Sequence, residues 1–152
     1  MKLWRISRFN NLEGGGGLVS SGRWHTVGRL IVYLAESPAA AMLERVVHML
    51  EADGDLPKTY TMLEIEGEDS LAIEPLLTLA DTQWRDRPEM TRAAGDEWLR
   101  SANSPLARVP SAIVPRTWNY LLNPQHPDAA KVRIVTQLDE IFDSRLFQSR
   151  PR

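Results

Sequence analysis

The run Leu30-Ile31-Val32-Tyr33-Leu34-Ala35, followed at once by Glu36-Ser37-Pro38, leaves the chain little conformational choice. A short apolar run rich in branched and aromatic side chains suits a buried β-strand. Ser37 then supplies an N-cap oxygen and Pro38 the fixed φ of a first helical position, so a helix is expected from Pro38 to about residue 50. On that helix Ala40, Ala41 and Val47 lie at i−4, i−3 and i+3 from Glu44, which sets a carboxylate on a small, apolar face. Read alone, Glu44 is a boundary residue, solvated or paired with His48 one turn on, or it is a functional group.

The length of 152 residues suits one domain with a real core, expected over residues 1–152. Hydrophobic residues at 43% and charged residues at 25% are ordinary for a globular protein, and no apolar run approaches the length of a membrane span. Met1-Lys2-Leu3-Trp4-Arg5 turns polar too early for a secretory signal, so the expected location is the cytoplasm, with no membrane. The absence of cysteine excludes disulfide and thiolate chemistry, and three scattered histidines without His-x-x-x-His spacing argue against a metal site. A net charge of −2 and a pI near 5.9 argue against a general nucleic-acid binder, while leaving room for a local basic cleft that takes an anionic small molecule.

Residues 3–6 alternate as a short strand that sends Arg5 opposite Trp4 and Ile6, as a surface charge or a ligand-binding one. Gly14-Gly15-Gly16-Gly17 lacks the Lys-Ser/Thr of a phosphate loop and reads as a flexible loop edging a cleft. Arg23, lodged between Gly22 and Trp24, is more constrained than most loop arginines, and its planar fork suits a diphosphate. Tyr33 in isolation reads as a core tyrosine with a tethered hydroxyl. Turn chemistry at residues 52–57 precedes a strand at 59–66 with Thr61, Leu63 and Ile65 inward, then a short apolar segment at 71–79 interrupted by Pro75.

A helix is expected over residues 88–102, although Gly95 in its interior costs about 1 kcal/mol relative to alanine. That glycine suggests close approach of another element. Residues 106–114 read as a strand with Ser111 inside it, and a lone serine outside a Gly-x-Ser-x-Gly elbow is more often structural. Residues 117–122 and 132–138 read as further strands. His126, in the proline-broken stretch between them, reads as a turn residue making local hydrogen bonds, and Phe142, Leu146 and Phe147 are expected to pack back on the core. No strand-Gly-x-Gly-x-x-Gly-helix unit is present, which disfavours a Rossmann fold.

Several blocks together are more specific than any one of them. Gly22-Arg23-Trp24, Tyr33-Leu34-Ala35-Glu36-Ser37-Pro38, Leu43-Glu44, Gly95-Asp96-Glu97-Trp98-Leu99, Val109-Pro110-Ser111-Ala112, Asn119 and Leu122-Asn123-Pro124-Gln125-His126-Pro127 resemble the RES domain. This is a family of bacterial toxins in Xre-RES toxin-antitoxin pairs, named for an arginine, a glutamate and a serine. The blocks keep the family's order from Leu3-Trp4-Arg5 to Phe142-Asp143-Ser144-Arg145-Leu146.

The resemblance implies an α+β fold of two small packed β-sheets with flanking helices, similar to diphtheria-type ADP-ribosyltransferases. It implies cleavage of the nicotinamide-ribose bond of NAD, which is depleted by hydrolysis or phosphorolysis as a substrate, with no cofactor and no metal. In that reading Glu44, Tyr33 and Arg23 are catalytic: the carboxylate supports the developing ribosyl cation, the ring is a platform for nicotinamide, and Arg23 with Arg5 neutralises the diphosphate. Ser111 and Asn119 would add neutral hydrogen bonds. The implied protein partner is an Xre-type antitoxin, through which nucleic acid is met only indirectly, and a homodimer within the complex is allowed. Two other readings stand beside it: an ADP-ribosyltransferase modifying a host protein, and a non-catalytic interaction module. The last would predict decay at the arginine, tyrosine or glutamate, and this chain carries all of them.

Overall fold

The computed structural model describes residues 1–51, 56–77 and 83–147. Most of the expected turn at 52–57 and the end of the 71–79 segment lie outside them. The strands are β1 (Lys2–Ile6), β2 (Val32–Ala35), β3 (Thr59–Gly67), β4 (Ile73–Pro75), β5 (Leu106–Pro110), β6 (Trp118–Leu122) and β7 (Val132–Ile141), and the helices are α1 (Pro38–Glu51) and α2 (Pro88–Ser101).

The expectation of two sheets is corrected: all seven strands form one sheet in the order β4-β5-β6-β2-β1-β3-β7. Its middle is thin, however. β1 and β2 share only the Trp4↔Ala35 pair, whereas β1 pairs with β3 over five residues and β2 with β6 over four. A sequence shows where strands are and not how two half-sheets meet at their edges. Leu3, Leu63, Ile65 and Val132 from one half and Val32, Leu34, Leu106 and Leu122 from the other bury their side chains in a single cluster.

The strand-to-helix junction forms as the local chemistry dictates. Ser37 Oγ accepts the Ala40 N–H at 3.1 Å and Ser37 O accepts the Ala41 N–H at 3.0 Å, with Pro38 opening α1. Ala40 and Ala41 are buried against Ala35 and Met62, with Trp4, Ile6 and Tyr60 around them. The sheet is therefore covered on both faces, which is why β3 buries Met62 as well as Leu63 and Ile65. Thr61, expected inward, is only half-buried, and its hydroxyl donates to Asp139 at 2.6 Å.

The β3-β7 ladder slips between Glu64 and Ile65, whose partners are Thr136 and Ile134, so Val135 bulges from the edge strand. β5 stops at Pro110, short of the expected residue 114, and Ser111 begins the turn that follows. Phe142 packs on Tyr60 and Phe147 with ring centroids 4.6 and 5.4 Å apart, but Leu146 stays exposed. His126 is the turn residue expected, its Nδ1 accepting the Asp128 N–H at 3.0 Å.

The glycine run is an ordered 3-10 turn, Gly15–Leu18, seated on the approach to β2. Gly17 O accepts the Gly28 N–H at 2.9 Å, and a Cβ on Gly17 would stand 2.1 Å from Arg29 O. Gly95 of α2 is used in the same way. A Cβ there would lie 1.7 Å from Trp24 O, so the helix touches the backbone of the loop that carries Arg23.

Candidate functional site

One cleft of about 370 Å³ collects residues from far apart in the chain: Arg5 from β1, Arg23 and His25 from the loop before β2, Tyr33 from β2, Glu44 from α1 and Asn119 from β6. Ser111 does not line it. A smaller hollow of about 280 Å³ shares Arg5, Tyr33, Glu44 and Asn119 and extends toward Trp4, Ala41 and Arg45. Glu44 therefore lines both hollows.

The carboxylate is held by neutral donors. Glu44 Oε1 accepts from Asn119 Nδ2 at 2.6 Å and from the Ser111 hydroxyl at 3.1 Å. Ser111 Oγ itself accepts the Ile113 and Val114 N–H groups at 3.1 and 3.2 Å, which aims its proton at Glu44. So Ser111 is buried behind the carboxylate and acts on it rather than on the cavity. Asn119 Oδ1 is a buried acceptor with no partner. Flipping the amide would turn that oxygen toward Glu44, so the orientation is fixed at the cost of an unmet acceptor.

Arg23 has a different setting. Its Nη1 donates to Arg85 O at 3.0 Å, and its guanidinium lies 5.8 Å from the Trp84 ring centroid. Trp24, beside it, is buried and packs on Trp84 at 5.9 Å. α2 props the loop from behind. Thr91 Oγ1 donates to Arg23 O at 2.6 Å, Arg92 Nε to Gly22 O at 2.8 Å, and Asp96 accepts the Thr26 N–H and hydroxyl at 3.0 and 2.7 Å. Thr91 and Arg92 escaped the reading of the sequence, and Asp96 entered it only as part of a resembling block, without a role. Gly95 was the available signal, because a glycine inside a helix marks a close neighbour, but nothing in the spacing says which neighbour.

Arg5 donates from Nη1 to Asn11 O at 3.1 Å, and burial pulls its guanidinium below the usual arginine range. Among the described residues no carboxylate forms an ion pair with Arg5 or Arg23 and no cation forms one with Glu44, in the way that surface charges pair elsewhere. Tyr33 presents its ring to the cleft while its hydroxyl turns back, accepting the Trp24 N–H at 3.1 Å and meeting His25 Nδ1 at 2.8 Å. Burial pushes that phenol well above its ordinary range, so it stays protonated. Among the described residues no group of three or more His, Cys, Asp or Glu is placed to hold a metal ion.

Comparison with known proteins places the whole chain among its relatives. A family model described as the RES domain matches residues 2–143. A Pseudomonas putida protein named Toxin Res is 46% identical over 147 residues, covering 97% of this chain and 100% of its own length. A Sphingobium protein named Prs ADP-ribosylating toxin is 35% identical over 95% of this chain and 96% of its own. A chain of the crystal structure of the M. tuberculosis MbcT-MbcA toxin-antitoxin complex superposes with a TM-score of 0.77, over 92% of this chain and 84% of its own, at 20% identity, which is a likeness of fold.

Proposed function

The chain belongs to the RES domain family, and from that premise we propose that it is the toxin of a toxin-antitoxin pair and cleaves the nicotinamide-ribose bond of NAD. The observation that carries the reading is the convergence of Glu44, Arg5, Arg23, Tyr33 and Asn119 on one cleft, with the carboxylate and both arginines bonded to neutral groups. NAD carries both kinds of charge that such a cleft leaves unanswered, a cationic nicotinamide ring and an anionic diphosphate. Cleavage breaks the bond between ribose C1′ and the pyridinium nitrogen, which keeps the electron pair and leaves as neutral nicotinamide.

The transition state resembles an oxocarbenium ion, the electronic problem that glycosidases meet with carboxylates. Glu44, oriented by Ser111 and Asn119 and not neutralised by them, faces that growing positive charge. Arg23 and Arg5 bind the diphosphate, and the Tyr33 ring stacks on the departing base. Water or inorganic phosphate then adds at C1′. Transfer of ADP-ribose to a protein uses the same first step, and the relative named an ADP-ribosylating toxin keeps that reading in view. The diphtheria-type relationship belongs here as well, supported by the single carboxylate, tyrosine and arginine set around one cleft.

The partner we propose is an Xre-type antitoxin that meets DNA through its own domain and covers the cleft near Arg23, where an acidic or terminal carboxylate would answer the guanidinium. A homodimer within that complex and a cytoplasmic location complete the proposal; no helix among the described residues is long and apolar enough to cross a membrane. The test is nicotinamide release from NAD by the purified chain, with and without phosphate, chelator and candidate protein acceptors, and with products identified. Free nicotinamide with ADP-ribose or its 1″-phosphate supports the reading. No release from a folded, inhibitor-free chain overturns it in favour of a binding module.

A further inference from the structure

His25 is almost wholly buried, yet it is a polar ring at the wall of the cleft, and neither the roles above nor the resemblance gives it a task. Its two nitrogens are both engaged. Nε2 lies 3.0 Å from Ser20 O, which can only accept, so Nε2 carries the proton. Nδ1 lies 2.8 Å from the Tyr33 hydroxyl. That hydroxyl already accepts the Trp24 N–H at 3.1 Å, and a backbone N–H can only donate. The hydroxyl proton therefore points to Nδ1, and the donations run in one direction: Trp24 N–H to Tyr33 Oη, Tyr33 O–H to His25 Nδ1, His25 Nε2–H to Ser20 O.

We propose that His25, as a neutral imidazole, is the positioning residue for Tyr33, holding its hydroxyl back so that the ring forms the wall against which the departing base stacks. This rests on the NAD reading above. The space around the pair is closed: a Cβ on Gly22 would meet Tyr33 Oη at 2.6 Å and His25 Cε1 at 2.7 Å, so the two rings have one arrangement. Protonation of Nδ1 would set a second donor against an oxygen that already accepts from Trp24, and the tyrosine proton would have to leave its partner.

The charged groups that face His25 oppose one another. On α2, Asp96 favours the imidazolium and Arg92 disfavours it, while Arg29 lies 3.6 Å from Asp96 and Arg23 lies in the same loop. Burial is the largest influence and lowers the histidine pKa from its usual value. The sign follows: the unfolded chain binds the proton first. Stability from the neutral ring is thus fully present above the ordinary histidine range and is lost as pH falls through the depressed folded value. The site should share that acid limb.

Three variants and one spectrum test the assignment. In His25→Asn the amide oxygen can stand where Nδ1 accepts from Tyr33, but it cannot titrate. It should keep most of kcat/KM and lose the acid limb. His25→Phe keeps the ring volume and removes both bonds, and it should lower kcat/KM about tenfold to a hundredfold, as misplacement of a site group does. Tyr33→Phe in the His25→Phe background should cost less than it does alone, because both substitutions break the hydroxyl–imidazole bond and only the Trp24 N–H bond is left to lose.

A His25→Asn variant as poor as His25→Phe, an unchanged acid limb in His25→Asn, or losses that multiply in the double variant would each overturn the proposal. Imidazole nitrogen NMR of the unsubstituted chain needs neither turnover nor a variant that folds. It should show His25 protonated at Nε2 and titrating below the ordinary histidine range. An Nδ1-protonated or normally titrating ring overturns the bond itself, whereas the expected spectrum with no nicotinamide release overturns only the function reading.

Discussion

Arg23 is held by a backbone carbonyl and an aromatic face within a loop that α2 supports, whereas Glu44, on a helix, is held by side-chain donors from β6 and from the turn after β5. Both charges thus reach one cleft through unlike scaffolds, and each is bonded to neutral groups. Surface charges of the same chain behave otherwise. Asp143 and Arg145 pair at 2.6 Å, which holds the Asp143 carboxyl down to about 2, and Asp128 pairs with Lys131 at 2.8 Å. These surface charges are spent on one another, while Arg23 and Glu44 are oriented by neutral groups and left with their fields intact. A ligand bearing both signs can then draw on each wall separately.

If the two walls do different work, their variants should fail differently, and the largest effect should be on the carboxylate side. Glu44→Gln keeps shape and removes charge, so turnover should fall about a hundredfold to a thousandfold with NAD affinity nearly unchanged. Steady-state nicotinamide release beside calorimetric NAD binding checks this. Arg23→Ala should do the reverse, weakening NAD binding by about 1.5–3 kcal/mol while turnover at saturation is largely kept. Equal losses of affinity in both variants would erase the contrast between the walls.

Gly95→Ala tests whether the arginine wall depends on α2. The added methyl meets Trp24 O, a backbone atom that cannot swing away, and should lower stability by about 1–3 kcal/mol. Thermal unfolding measures the loss, and KM for NAD should rise with it if the Arg23 loop moves. Ser111→Ala should be mildest for turnover, removing one of two donors to the Glu44 carboxylate at a cost of about 1 kcal/mol, together with the acceptor of the Ile113 and Val114 N–H groups. Turnover should then drop severalfold with KM steady; a rise in KM alone would move Ser111 from the carboxylate to the substrate.

What the sequence could disclose was what is local. The start of α1 was legible because Ser37-Pro38 carries the capping chemistry within a few residues, and the turn role of His126 was legible for the same reason. The gap behind Gly95 was legible, though its occupant was not. The donors to Glu44 lie 67 and 75 residues further along, and no periodicity connects them. Only the resemblance brought Ser111 and Asn119 into the same sentence as Glu44, and even so it offered Ser111 to the ligand where the fold gives it to the carboxylate. The single sheet was beyond reach because its continuity depends on Trp4 meeting Ala35, one pair between two half-sheets.

That long separation also has a meaning in time. A ribosome adding about 5–20 residues per second delivers Glu44 some 4–15 s before Asn119. Over that interval the growing chain already has Arg5, Arg23, Tyr33 and Glu44, but gains α2 to support the arginine loop only late in it and β6 to orient the carboxylate only at its end. The cleft is complete only once β6 has been made, and the proposed partner, translated nearby, has those seconds in which to be waiting.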